Sequence, residues 1–183
     1  MLNVFYGCAR KHRPFIPQVA VTTNDIDVRY CCNITCDVRD LIDKQKDWLI
    51  TNFDGLIFTP PCNYYSRANW RRNTSKVALE TKDILPSVLN FVHIQGMPFL
   101  VENVQNAPVF KDWYPYTQFT LGGHTFWSNV VDRSDFIGYE CPKQNKQFVN
   151  RNKRDGNDVV NHVICIFLQK LYLDSIRCFS NYE

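Results

Sequence analysis

Apolar residues in this chain come in short runs that end in polar or turn-forming residues, with longer mixed stretches between them. The first run, LNVFY at 2–6, predicts a strand that turns at Gly7. QVAVTTND at 18–25 predicts a second strand with a polar end, and NITCDV at 33–38 a weaker third. DWLITNFDGLIFTPP at 47–61 carries the end of a helix and then the strand GLIFT, stopped by Pro60 and Pro61. Between 75 and 96, Val77, Leu79, Ile84, Leu85, Val88, Leu89 and Val92 fall close to helical spacing, with Pro86 as a break or kink. MPFLVENV at 97–104 predicts another strand and GGHTFWSNVV at 122–131 a further one, its two glycines making a turn. DVVNHVICIFLQKLYLDSIRC at 158–178 predicts a C-terminal helix with an apolar stripe.

Strands alternating with helices predict an α/β domain with a mainly parallel twisted sheet flanked by helices. Such sheets bind ligands at the carboxyl ends of their strands. The polar strand ends Gly7, Asp25, Asp37, Cys62 and Glu102 are therefore expected to gather at one edge. No repeat or low-complexity tract interrupts the chain. The expected organisation is one domain over 1–183: a core to 135, then a basic loop and the C-terminal helix from 136. The basic stretch CPKQNKQFVNRNKRDGND at 141–158 is the loop.

Composition narrows the class. A chain of 183 residues with 45% apolar content can bury a core, which excludes general disorder. A net charge of +3 permits an anionic partner without arguing for one. Eight cysteines stand at 8, 31, 32, 36, 62, 141, 165 and 178. The N-terminal MLNVFYGCARKHRPF lacks the features of a signal peptide, so a reducing cytoplasm is expected rather than a disulfide framework. CCNITC resembles half of a zinc site, but no second pair follows, and no metal is expected. Cys165 and His162 read as residues of a core face. No run approaches the ~20 apolar residues of a membrane span, and no membrane partner is expected.

FTPPC places one thiol behind two prolines at a strand end. A thiolate attacks electron-poor carbons that oxygen nucleophiles handle poorly. Carbon 6 of a pyrimidine is one, and addition there makes carbon 5 nucleophilic. An acid at ring nitrogen 3 assists. Cys62 and Glu102, at the ends of neighbouring strands, supply that pair. The plain alternatives are a buried structural thiol and a carboxylate that caps a helix or pairs with a lysine.

PPC after one strand and ENV after another resemble the fourth and sixth motifs of the DNA cytosine-5 methyltransferases. LNVFYG resembles the first motif, TTNDID the second and CDVRDL the third, in the family's order over about the first 130 residues. The resemblance implies a Rossmann-like S-adenosylmethionine-dependent core, here without a full target-recognition domain. It implies S-adenosylmethionine near Phe5, Gly7, Asp25, Ile26, Asp37, Val38 and Pro60, with Asp25 on the ribose and Asp37 on the adenine. It implies Cys62 and Glu102 as the catalytic pair. The activity implied is methyl transfer to carbon 5 of cytosine in DNA through a covalent adduct at carbon 6.

The loop NYYSRANWRRNTSK follows Cys62. In this resemblance it closes over DNA and holds a flipped base. Ser66, Arg67, Arg71 and Arg72 are expected at the DNA, with Lys76 as a further phosphate contact. Trp70, with Tyr64 and Tyr65, offers stacking faces. Ala9 and Arg10 stand where the family has glycines, and the family's Gln-x-Arg-x-Arg motif is missing near HTFWSNVVDRSDF. Two other readings therefore stay open. One is an inactive scaffold that binds DNA or a host defence or restriction protein, and the other is an enzyme of free pyrimidine nucleotides. A short form of phage type is expected, working in bacterial cytoplasm, with specificity supplied in part by a host or phage protein.

Overall fold

The computed structural model describes residues 1–10, 12, 14–66, 69, 71, 73–105, 117–140 and 155–180. Seven strands form one sheet: β1 (Leu2–Gly7), β2 (Val19–Asp25), β3 (Ile34–Thr35), β4 (Gly55–Phe58), β5 (Phe99–Val104), β6 (Thr117–Leu121) and β7 (His124–Ser128). Their spatial order is β3-β2-β1-β4-β5-β7-β6. β1 through β5 pair in parallel, and β7 runs antiparallel to both β5 and β6. The order doubles back between β1 and β4, the reversal point where open α/β sheets form a crevice beyond the strands' carboxyl ends.

Helices cover both faces. α1 (Val38–Lys44), α2 (Lys46–Asn52), α3 (Lys76–Thr81) and α4 (Ile84–Gln95) connect the parallel strands, and α5 (Asp155–Ser180) closes the chain. Successive strand residues point to opposite faces. Phe5, Leu56, Phe58, Phe99 and Val101 thus join Leu41, Leu49, Leu85 and Val88 in one core. Val4, Tyr6, Ile57 and Leu100 join Val163, Ile164, Phe167 and Leu168 of α5 in the other. Burying a side chain such as Leu or Phe contributes about 1.5–3 kcal/mol, so these two layers fix the sheet from both sides.

The pattern-based elements need four corrections. The third strand shrinks to Ile34–Thr35, because Asp37 already caps α1 through a bond from Arg39 N (2.9 Å). The long helical stretch is two helices, and the break falls at Lys82–Asp83 rather than at Pro86. Pro86 sits in the first turn of α4, where its missing N–H leaves no helical bond unmade. β6 was not expected at all. The basic stretch at 141–158 lies outside the described residues as far as 154, and 155–158 belong to α5.

α5 also corrects the reading of hydropathy. Its segment Asp158–Arg177 is long and apolar enough to cross a membrane by length and composition. Val159, Val160, Val163, Ile164, Phe167, Leu168 and Leu171 are buried against the sheet, so its apolar stripe serves as core.

Candidate functional site

The exit of β4 is held by both neighbouring strands. Thr59 N donates to Gly7 O (3.2 Å) and Thr59 Oγ1 donates to Cys8 O (2.8 Å), which ties the chain to β1. The buried Asn103 side-chain amide donates to Pro60 O (3.0 Å), which ties it to β5. Asn103 Oδ1 in turn accepts from Val104 N (2.9 Å). The asparagine of ENV therefore fixes the diproline of PPC. Two fixed φ angles and this bond carry Cys62 to the crevice on a stiff stem. Beyond it, Tyr65 N (3.0 Å) and Ser66 N (2.8 Å) both donate to Cys62 O, so the chain turns at once. Tyr65 is buried, and its hydroxyl donates to Lys82 O at the α3–α4 junction. It anchors the turn and presents no stacking face, contrary to expectation. Burial pushes its phenol up to about 12.

Cys62 and Glu102 line one cavity of about 220 Å³, shared with Arg10, Thr59, Pro60 and His124. Pockets for drug-sized ligands run from about 300 to 1,000 Å³, so this one suits a single small ring better than a whole nucleoside. Burial pushes the Cys62 thiol above its ordinary value, the Arg10 guanidinium pulls it down, and the Glu102 carboxylate pushes it up again. Glu102 lies on β5 with His124 Nδ1 at 2.6 Å from its Oε1. Their side chains are 12% and 21% exposed, which keeps the pair largely out of solvent. A short second chain of contacts borders the cavity: Thr59 Oγ1 lies 3.3 Å from the Tyr6 hydroxyl, and that hydroxyl bonds His12 Nδ1 (2.6 Å).

The residues expected at a nucleoside fall around the same sheet edge. Asp25 ends β2, and its two oxygens accept from Arg10 N (3.1 Å) and Asp27 N (3.0 Å). A carboxylate has about four acceptor sites, so these bonds orient Asp25 without saturating it. Ile26, beside it, is exposed. Asp37 caps α1 and pairs with Arg39 Nη2 (2.6 Å); the Arg39 hydrogen bond holds its carboxyl below the usual range. Phe5 is wholly buried between Phe53 and Phe58, and Val38, the first residue of α1, is buried in the same core. Gly7 ends β1 where a Cβ would lie 2.6 Å from the Phe58 ring. Ala9 keeps an ordinary backbone, whereas Cys8 (φ 58°) and Arg10 (φ 48°) adopt the left-handed conformation. That conformation costs a non-glycine residue roughly 1–2 kcal/mol, so the turn after β1 keeps a glycine-like shape without the glycines.

Of the expected DNA contacts, Ser66 and the exposed Arg71 flank the turn after Cys62, and Lys76 opens α3. Arg67, Trp70 and Arg72 lie outside the described residues. No cluster of metal-ligating side chains occurs among the described residues. His162 stacks on Tyr139 with ring centroids 4.2 Å apart. His124 was not picked out from the sequence. Its place depends on the β5–β7 register, which pairs it with Val104 and so sets it diagonal to Glu102.

No family model matches this chain, and no curated protein matches it. A solved structure similar to it is that of the Entamoeba histolytica methyltransferase EhMeth, at 14% identity and a TM-score of 0.42. The likeness covers 69% of this chain and 52% of that one, so the chain spans about half of that protein's length. Likeness at this level carries no functional argument, and the weight falls on the site itself.

Proposed function

We propose that this protein methylates carbon 5 of cytosine in DNA, with S-adenosylmethionine as donor. The observation that carries the reading is a thiol just past the end of β4 and a carboxyl group on the adjacent parallel strand β5, Cys62 and Glu102, lining one ring-sized cavity at the sheet's reversal point. The order of the five sequence motifs supports it. The fit to the donor rests on Asp25, whose oriented carboxylate retains acceptor capacity for ribose hydroxyls, and on the exposed Ile26 beside it. Bound there, S-adenosylmethionine supplies the electrophilic methyl group.

The chain's own residues do the rest. The flipped base enters the cavity, since a base in a duplex is out of reach. The Cys62 thiolate bonds to carbon 6 while Glu102 gives a proton to nitrogen 3, so the ring becomes an enamine without building charge. Arg10 favours the thiolate against its burial. Carbon 5 then takes the methyl group and loses its proton to a base, and the carbon 6–sulfur bond breaks to return the thiolate as nitrogen 3 gives its proton back to Glu102. Asn103 keeps Pro60, and with it Cys62, in register with Glu102. Arg71 and its neighbours in the loop after Cys62 meet phosphates.

DNA carrying 5-fluorocytosine tests the reading, because fluorine cannot leave as a proton. With S-adenosylmethionine, the wild-type protein is expected to form an adduct that survives denaturation, and Cys62→Ala none. Absence of an adduct with a folded protein would overturn it. One observation favours a second reading, an inactive scaffold that binds DNA or a defence protein. Arg10 takes a left-handed backbone where the family has glycine and lines the cavity. A heat-stability rise with S-adenosylmethionine, expected here because a ligand of the native state stabilises it, separates the two.

A further inference from the structure

We infer that His124 is the positioning residue of the acid: it holds Glu102 by one oxygen so that the other faces the base. The inference rests on the cytosine reading above. Three observations converge on it. First, Gly122 (φ 57°) and Gly123 (φ 84°) make a two-residue turn with both backbones left-handed, the turn whose twist suits a tight hairpin. That turn fixes Leu121 opposite His124 and starts β7 there. Second, the β5–β7 register pairs Glu102 with Phe126 and Val104 with His124. Glu102 and His124 are then diagonal neighbours two residues apart on one face, within reach of long side chains. Third, the reach is used: His124 Nδ1 lies 2.6 Å from Glu102 Oε1, and both line the cavity that holds Cys62.

The consequence is geometric. Among the described residues Glu102 makes no other side-chain hydrogen bond, so Oε2 is the oxygen left for substrate. A glutamate has three side-chain torsions, and an acid acts well only when its oxygen sits within hydrogen-bond distance of the atom it protonates. Fixing Oε1 from the neighbouring strand removes the terminal rotation.

The test needs a readout of addition at carbon 6 that does not depend on a methyl donor. Cytosine tritiated at carbon 5, placed in DNA, provides it. Cys62 adds, carbon 5 takes a solvent proton, tritium leaves to water, and the carbon 6–sulfur bond breaks. The variants are His124→Asn, whose amide nitrogen stands where Nδ1 stood, His124→Leu, which keeps bulk without a donor, and His124→Ser, which is too short to reach. Folding is checked by circular dichroism, and DNA affinity is measured beside exchange. Leu and Ser remove the bond by different routes, so either one folded is sufficient. Expected are DNA affinity near wild type, exchange slowed about 100-fold in Leu and Ser, the lower end for a displaced acid, and recovery to within about tenfold in Asn. A purely structural histidine gives no such recovery. Equal exchange in all three variants overturns the inference alone. No exchange by the wild type overturns the cytosine reading, and this inference with it.

Discussion

Gly7→Ala separates packing from ligand binding at the first motif. A Cβ added at Gly7 would lie 2.6 and 2.8 Å from Cδ1 and Cε1 of Phe58 and 3.1 Å from Cε1 of Phe5. Neither ring can swing away. Both are fully buried, and Phe58 packs against Phe5 (5.7 Å between centroids) and against Phe91 (6.4 Å). The methyl group must push β1 and β4 apart or force a ring off its rotamer, an overpacking cost of about 1–3 kcal/mol. For a domain of this size each kcal/mol moves the melting temperature by roughly 2–4 °C, so the expected fall is about 2–12 °C. The assay is thermal unfolding by circular dichroism without ligand. Gly138→Ala is the control: its φ of 84° is left-handed but nothing lies within 4 Å, so only backbone strain of about 1–2 kcal/mol is expected. Gly7 O also accepts from Thr59 N, so thiol reactivity at Cys62 should change with Gly7→Ala and not with Gly138→Ala. An unchanged melting temperature for Gly7→Ala, within about 1 °C, would refute the packing argument.

Three further outcomes follow from the charges. Arg10→Gly removes the cation that opposes burial at Cys62, so the midpoint of iodoacetamide labelling at Cys62 should move to higher pH; a fall or no change contradicts the assignment. Cys8 is buried and its thiol is pushed well up, chiefly by burial, so the folded state holds its proton where the unfolded chain releases it. Stability should then decline above pH 9, the unfolded thiol's value, by about 1.4 kcal/mol per pH unit from this group, and Cys8→Ala should flatten that slope in urea titrations. Asp37 is depressed by its Arg39 hydrogen bond, so its contribution is present above the ordinary carboxylate range and lost on acidification. Asp37→Asn keeps a capping side chain and loses the charge pair with Arg39, so it should cost up to about 1 kcal/mol at neutral pH, and the gap to wild type should close in acid.

Much of the fold was legible because the signals were local. Strand runs such as VFY in β1 and GLIF in β4 are continuous and apolar since these strands are central and covered on both faces there. β6 escaped because an edge strand with only Phe119 and Leu121 inward carries too short an alternation to stand out. Pro86 misleads because its place in a helix depends on where the helix begins, and α4 begins at Ile84, which puts Pro86 in its first turn. The meeting of Cys62 and Glu102 in one cavity was readable from strand ends, since parallel strands bring their carboxyl ends to one edge. His124 was not, because it reaches Glu102 through an antiparallel register that sequence spacing does not encode. Gly7 was read as a turn for a cofactor, and the structure shows what its missing side chain does for Phe58.

The most direct test of the central claim is transfer of a labelled methyl group from S-adenosylmethionine to duplex DNA, with the product nucleosides resolved after digestion. The account predicts label in 5-methylcytosine with the wild-type protein, none with Cys62→Ala, and at least a 100-fold loss with Glu102→Gln, the scale of a missing acid. Label at another base, or equal transfer by Cys62→Ala, would contradict it.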